Sequence, residues 1–266
     1  MTWATYTAKP ETSTYRSLFS AFRPLLYPLP VSIADNIARI QERIHAAAVR
    51  AGRDPRDVTL MAVSKTFPAE SIREAHAAGL RAFGENRVQE FAGKAFQARA
   101  LEDARFHLIG HLQSNKAARA VELFDAVDSV DSTRLASKLN AATEEAGKTL
   151  DVLVEVNIGN EAAKSGLPPD LDDQEFQQLL REAPKFSNLR VRGLMCIPPH
   201  TDDPNGARPY FRKMRELRDA IADLKIQNVE MSTLSMGMSH DFEVAIDEGS
   251  TCVRLGTAIF GDRPKT

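Results

Sequence analysis

Apolar residues return every three to four positions through Ile33, Ile37, Ile40 and Ile44, the spacing of one helical face, and Gly52 closes the segment. Ser32 and Asp35 ahead of that stripe form a capping-box pattern. The apolar stretch Val58 to Val63 then reads as a strand, followed by a helix from about Ala69 to Ala78 that stops at Gly79. The same alternation repeats down the chain. Further strands are predicted at Ala82–Gly84, Phe106–Ile109, Ala126–Val130, Val152–Ile158, Val191–Ile197, Val229–Leu234 and Thr251–Leu255. Helical segments fall between them at Glu85–Arg99, Lys116–Phe124, Thr133–Gly147, Asp173–Glu182, Ala207–Leu224 and Asp241–Glu248.

A β-then-α order implies parallel strands joined by crossover helices. Eight such units over roughly 235 residues match a single closed (β/α)8 TIM barrel, with a doubly wound open sheet as the alternative. The barrel is expected over residues 32–266. Residues 1–31 differ in composition, holding Pro10, Pro24, Pro28 and Pro30 and one acid, Glu11. They are expected to form a flexible or extended tail; a targeting segment and a partner-docking segment are the alternatives.

Composition narrows the function classes. The 34 Lys and Arg nearly balance the 36 Asp and Glu, for a formal charge of −2 with both signs dispersed. That leaves no electrostatic footprint for nucleic acid. No uncharged apolar run reaches the roughly 20 residues of a membrane span. The two cysteines, Cys196 and Cys252, form no CxxC pair and suggest no disulfide framework, so a reducing, cytoplasmic setting is expected. A monomer without membrane or nucleic-acid partners is the expected form.

In a barrel the chemistry sits where strands end at their carboxyl side. Here those positions are polar: Ser64-Lys65-Thr66, Gly84-Glu85-Asn86, Gly110-His111, Asp128-Ser129, Asn157 and Ser235-Met236-Gly237. Lys65, directly after a buried strand, would enter the mouth of the barrel, where desolvation favours the neutral amine and suits a Schiff-base nucleophile. A lysine that snorkels to the rim or pairs with Glu85 is the alternative. The loops after strands seven and eight offer backbone amides and hydroxyls at Ser235 to Ser239 and at Gly256-Thr257, a frequent phosphate corner of barrels. Taken singly, Ser239 could merely cap a helix and Gly256 merely turn the chain. A phosphate corner facing a lysine across the barrel suggests pyridoxal phosphate.

The ordered motifs Ala62-Val63-Ser64-Lys65, Phe83-Gly84-Glu85-Asn86, Ile109 to Lys116, Val156-Asn157, Lys164-Ser165-Gly166, Gly193-Leu194-Met195, Leu234 to Ser239 and Val253 to Gly261 carry a family resemblance. From about Ile33 to Asp262 the chain resembles the YggS/PROSC-type pyridoxal phosphate homeostasis proteins, whose barrel is that of the alanine racemase amino-terminal domain. The resemblance implies pyridoxal phosphate bound covalently at Lys65 as a Schiff base. It implies phosphate contacts from Ser235, Gly256, Thr257 and the amides around Met236 and Gly237, and places Arg254 at the pyridine nitrogen. Asn86, His111, Asn157 and Met195 fall in motifs lining the same mouth. The spacing of His107 and His111 reads as packing or polar lining rather than metal ligation, and Met236 and Met238 also suit gap-filling.

An arginine cannot give up its proton, so the ring nitrogen beside Arg254 would stay unprotonated and the ring would be a weak electron sink. The chain also ends ten residues after Gly256, with no room expected for the second domain that racemases add. The expected function is therefore to hold the cofactor, and to deliver it to enzymes that require it, without significant amino-acid turnover. An amino-acid racemase and a Schiff-base aldolase acting on a sugar phosphate are the alternatives.

Overall fold

Ser32 caps the first helix. Its side chain accepts from the Asp35 amide at 3.1 Å while the Asp35 carboxylate accepts from the Ser32 amide at 3.3 Å, closing the capping box. The computed structural model describes Met1, Thr2 and residues 32–262. The tail expected over residues 1–31 therefore lies, beyond its first two residues, outside the described part.

From this cap runs α1 (Ile33–Arg50), followed by β1 (Thr59–Val63), α2 (Ala69–Ala77), β2 (Ala82–Glu85), α3 (Val88–Ala98) and β3 (Arg105–Leu108). Then come α4 (Ala117–Leu123), β4 (Ala126–Val130), α5 (Thr133–Glu145), β5 (Leu150–Val156), α6 (Gln174–Glu182) and β6 (Leu189–Cys196). The chain continues through α7 (Arg208–Asp223), β7 (Val229–Ser235), α8 (Phe242–Asp247), β8 (Cys252–Leu255) and the short α9 (Thr257–Phe260). The described strands are parallel, pair in chain order and close through β1 on β8. The closed barrel is thus observed, and the open-sheet alternative falls away. Boundaries moved by one to three residues from the periodicity, and α9 was not anticipated, because four residues carry too little pattern.

The closing seam is irregular. β7 and β8 share a single ladder pair, Ser235 with Cys252. Side chains add to the backbone bonds there: Ser250 donates to the carbonyls of Met236 at 2.7 Å and Cys252 at 3.1 Å, and the Thr251 hydroxyl accepts from the Leu234 amide at 2.8 Å. Outside the seam, α1 and the turn after it act as a clasp. Asn36 donates to the Ile259 carbonyl at 2.9 Å, and Arg53 to those of Ile246 and Ser250.

Most of the apolar core lies between sheet and helices, as in the stack of Phe83, Phe91, Phe106 and Phe124, with ring centroids 4.8–5.5 Å apart. Inside the barrel a small apolar cluster forms from Met61, Val63, Ile109 and Cys252, with Ala82 against them, and Leu153 also lies on the inner face. This plug separates two polar chambers. Met61 and Cys252 face a cavity of about 340 Å³ toward the amino ends of the strands, whereas Val63 and Ile109 face one of about 450 Å³ at the carboxyl ends.

The turn that leaves β1 is strained and pinned. Thr66 has φ +67°, a left-handed conformation costly for a residue with a Cβ. Its amide donates to Glu90 at 2.5 Å, and Lys94 donates to the carbonyls of Ser64 at 2.9 Å and Phe67 at 3.0 Å. Lys94 also pairs at 2.8 Å with Glu85, which is fully buried and accepts from the Ser64 hydroxyl at 2.6 Å. Burial raises the Glu85 pKa, against the pull of Lys94 and Ser64. One ammonium from α3 thus fixes both sides of Lys65.

Two stability predictions follow from this packing. A Cβ at Gly193 would stand 1.8 Å from the Thr233 carbonyl oxygen, where the β6–β7 register shifts. Gly193→Ala should cost about 1–3 kcal/mol in chemical denaturation, whereas Gly93→Ala, exposed on α3 with nothing near its Cβ, should gain about 0.5–1 kcal/mol. Equal effects would contradict the close approach of β6 and β7. Lys94→Met strands the buried Glu85 carboxylate and should cost about 3–5 kcal/mol, with partial recovery in the Glu85→Gln/Lys94→Met double variant. A loss under 1 kcal/mol would show the pair to be incidental.

Candidate functional site

The cavity of about 450 Å³ lies at the carboxyl ends of the strands. Its wall brings together Lys65 after β1, Asn86 after β2, His111 after β3, and Arg254, Gly256 and Thr257 on and after β8. Those six were singled out from the sequence. They are separated by up to 192 positions in the chain, and barrel closure makes β1 and β8 neighbours.

The other five expected residues stand behind that wall. Ser235 is fully buried, and its hydroxyl accepts from an Arg254 guanidinium nitrogen at 2.8 Å. Met195 and Met236 are also fully buried, and the Met236 amide, expected to face an anion, donates to the Cys252 carbonyl at 3.1 Å. Gly237 makes the bend between β7 and α8: φ is +95°, and a Cβ there would meet that of Ala245 at 2.6 Å. Its carbonyl accepts from the Arg254 amide at 3.0 Å. Asn157 spends its side chain on its own loop, donating to the carbonyls of Glu161 and Lys164 and accepting from the Glu161 amide. These groups shape the site rather than line it.

Arg254 is the electrostatic centre. It is 4% exposed, and its second terminal nitrogen donates to the Cys196 carbonyl at 2.8 Å. Two acids lie near it, and burial raises the pKa of both. Asp241, buried at the start of α8, has its pKa raised by burial despite the Met238 amide at 2.7 Å and the nearby guanidinium. Burial and the neighbouring Asp131 push Glu155 up to about 7, against the pull of His111 and Arg254. The Cys196 thiol is pushed up to about 12 by burial and stays neutral. At the rim, exposed His111 contacts Asp131 at 3.0 Å and the Ser165 hydroxyl at 3.1 Å through the same ring nitrogen.

The other strand histidine sits elsewhere. His107 faces the amino-end chamber and meets the buried Asp128 at 3.0 Å. Burial alone would lower its pKa, but Asp128, Asp125 and Asp151 together raise it. Among the described residues no group of three or more His, Cys, Asp or Glu is placed to hold a metal ion.

Glu155, Met238, Ser239 and His240 also line the mouth. Ser239 lay in the loop read as a phosphate corner, whereas Glu155 and His240 were missed. A signal for Glu155 was present: Asp151, Leu153 and Glu155 alternate along β5 and so share its inner face. An acid two residues before the polar end of an apolar strand belongs to the mouth.

Comparison with known proteins identifies the family of this barrel. Residues 32–264 match the family described as alanine racemase, N-terminal domain. The chain is 43% identical over 233 residues to a pyridoxal phosphate homeostasis protein of Aquifex aeolicus, covering 88% of this chain and 99% of that one. To the protein of the same name from Pseudomonas aeruginosa it is 46% identical over 232 residues, covering 87% and 96%. Among solved structures, PipY of Synechococcus elongatus with pyridoxal phosphate bound superposes with a TM-score of 0.74 at 35% identity, covering 86% of this chain and all of PipY. An alanine racemase of Clostridium difficile, at 16% identity and a TM-score of 0.64, shares the fold. No helix among the described residues is long and apolar enough to cross a membrane. With a matching barrel and such identity over nearly the whole length of its relatives, the chain belongs to the family of pyridoxal phosphate homeostasis proteins built on the alanine racemase amino-terminal domain.

Proposed function

We propose that this protein holds pyridoxal 5′-phosphate covalently through Lys65, as a cytoplasmic monomer that keeps the free aldehyde scarce and passes the cofactor to enzymes that require it. The observation that carries this reading is the convergence of Lys65, Arg254 and the Gly256–Thr257 turn on one cavity, in a chain whose relatives bear that name. The cavity, at about 450 Å³, falls within the roughly 300–1,000 Å³ of small-molecule sites.

The residues present fit the cofactor. Lys65 emerges from a pinned turn and supplies the amine. Gly256, Thr257 and Ser239 offer backbone and hydroxyl groups for a phosphate, with Ser235 and the Met236–Gly237 bend holding that corner from behind. Arg254, a permanent donor, is the residue for the ring nitrogen. Bound pyridoxal phosphate supplies an electrophilic carbon and an electron-withdrawing ring. A ring nitrogen facing arginine gains no proton from it, so Arg254 weakens that electron withdrawal. This supports a holding role over turnover.

Titration with pyridoxal phosphate should raise a shifted visible absorbance band. Lys65→Ala should abolish the band while retaining the circular dichroism of the fold; a persistent band would overturn the linkage at Lys65. Thr257→Val should weaken binding of the phosphorylated cofactor by about 1–3 kcal/mol and that of unphosphorylated pyridoxal much less. In deuterated water, loss of the α-proton from L- or D-alanine and serine should stay well below the roughly 1–10³ per second of dedicated enzymes. A rate in that range would make the protein a catalyst.

A further inference from the structure

The holding role leaves Glu155 unused. In the order of strands around the barrel, β5 stands four places from β1 in either direction, so Glu155 lines the wall across from Lys65. Its Oε2 is enclosed and has no hydrogen-bond partner. A buried carboxyl oxygen without a partner is costly whichever form it takes, so the pocket contents decide its state.

The groups that face it come from every neighbouring strand. Asp131 lies beyond β4, His111 beyond β3, Cys196 at the end of β6, Arg254 on β8, and Lys65 lines the same cavity beyond β1. His111 is already engaged with Asp131 and Ser165, and Arg254 with Ser235 and the Cys196 carbonyl. The Cys196 thiol is neutral. Burial and Asp131 bring Glu155 to about 7, so both of its forms are populated near neutrality. An anionic ligand entering this enclosure would repel the carboxylate and tolerate the uncharged acid, whose proton can be donated.

We propose that Glu155 sets the pH range over which the cofactor is held: the uncharged acid admits the anionic ring and phosphate, and the carboxylate opposes them. This rests on pyridoxal phosphate being the ligand of the cavity. Binding then carries a proton onto Glu155. Its contribution to affinity is complete below the ligand-free pKa and is lost as pH rises through about 7 toward the higher value in the complex.

The test is the affinity for pyridoxal phosphate, titrated by absorbance across the neutral to mildly alkaline range in wild type, Glu155→Gln and Glu155→Met. Ionisation of the phosphate and of Lys65 is common to all three, so the ratio of affinities isolates Glu155. Wild type should lose up to about tenfold per pH unit relative to Glu155→Gln above neutrality, and Glu155→Met should share the flattened profile. Parallel profiles in all three proteins overturn the inference while leaving the holding role intact. Absence of a cofactor signal in wild type at every pH overturns the holding role itself. A readout on wild type stands apart from the variants: with ¹³C-labelled glutamate, one carboxyl resonance should titrate near pH 7 in the ligand-free protein and cease to do so when pyridoxal phosphate is bound. Persistence of that titration in the loaded protein contradicts the proposal.

Discussion

A guanidinium enclosed in a barrel interior must be satisfied by the barrel itself, and Arg254 imposes that demand on its neighbours. Its hydrogen bonds run to the Ser235 hydroxyl and the Cys196 carbonyl, so β6, β7 and β8 are arranged around one side chain. The amide of Arg254 takes the carbonyl of Gly237, one residue beyond Met236, whose carbonyl accepts from the Ser250 hydroxyl. The chain turns at Gly237 after β7 and again at Gly256 after β8, and the Gly256 turn lines the same cavity as Arg254. An uncompensated charge at this depth would be expensive. Burial raises the pKa of the nearby acids Asp241 and Glu155, the two bonded oxygens belong to neutral groups, and the arginine still lines the cavity.

Lys65 is controlled by a second constraint, independent of the first. The pinned turn after β1 combines a left-handed Thr66 with a buried Lys94–Glu85 pair. Such a pair contributes little net stability when intact and costs much when broken, so its contribution here is geometric. With β1 beside β8 in the closed barrel, the lysine and the arginine share one chamber, and the small plug of Met61, Val63, Ile109 and Cys252 closes its floor. Beneath that plug the His107–Asp128 pair occupies a chamber of its own.

The architecture was legible because each strand ends where polarity begins. Lys65, Asn86, His111, Gly256 and Thr257 all lie within three residues of the end of an apolar run, and barrel geometry sends such positions to the mouth. Arg254 lies within its strand, and family resemblance rather than pattern identified it. Resemblance and position did not distinguish lining from support: Met195, Ser235 and Met236 lie in mouth motifs yet are fully buried, and Ser235 is held by Arg254, which lines the cavity in its place. Asn157 ends β5 where a ligand contact was expected, but its amide is consumed by the loop it starts. Glu155 escaped notice because one acid in an apolar strand resembles ordinary surface alternation; only barrel closure shows which face is inside.

The central claim is that the cofactor is anchored at the lysine after the first strand, beside the buried arginine. Borohydride reduction of the loaded protein, followed by proteolysis and mass spectrometry of the labelled peptide, tests it most directly. The account predicts a single modified peptide containing Lys65. A label on Lys94, Lys116 or Lys164 in its place would contradict it.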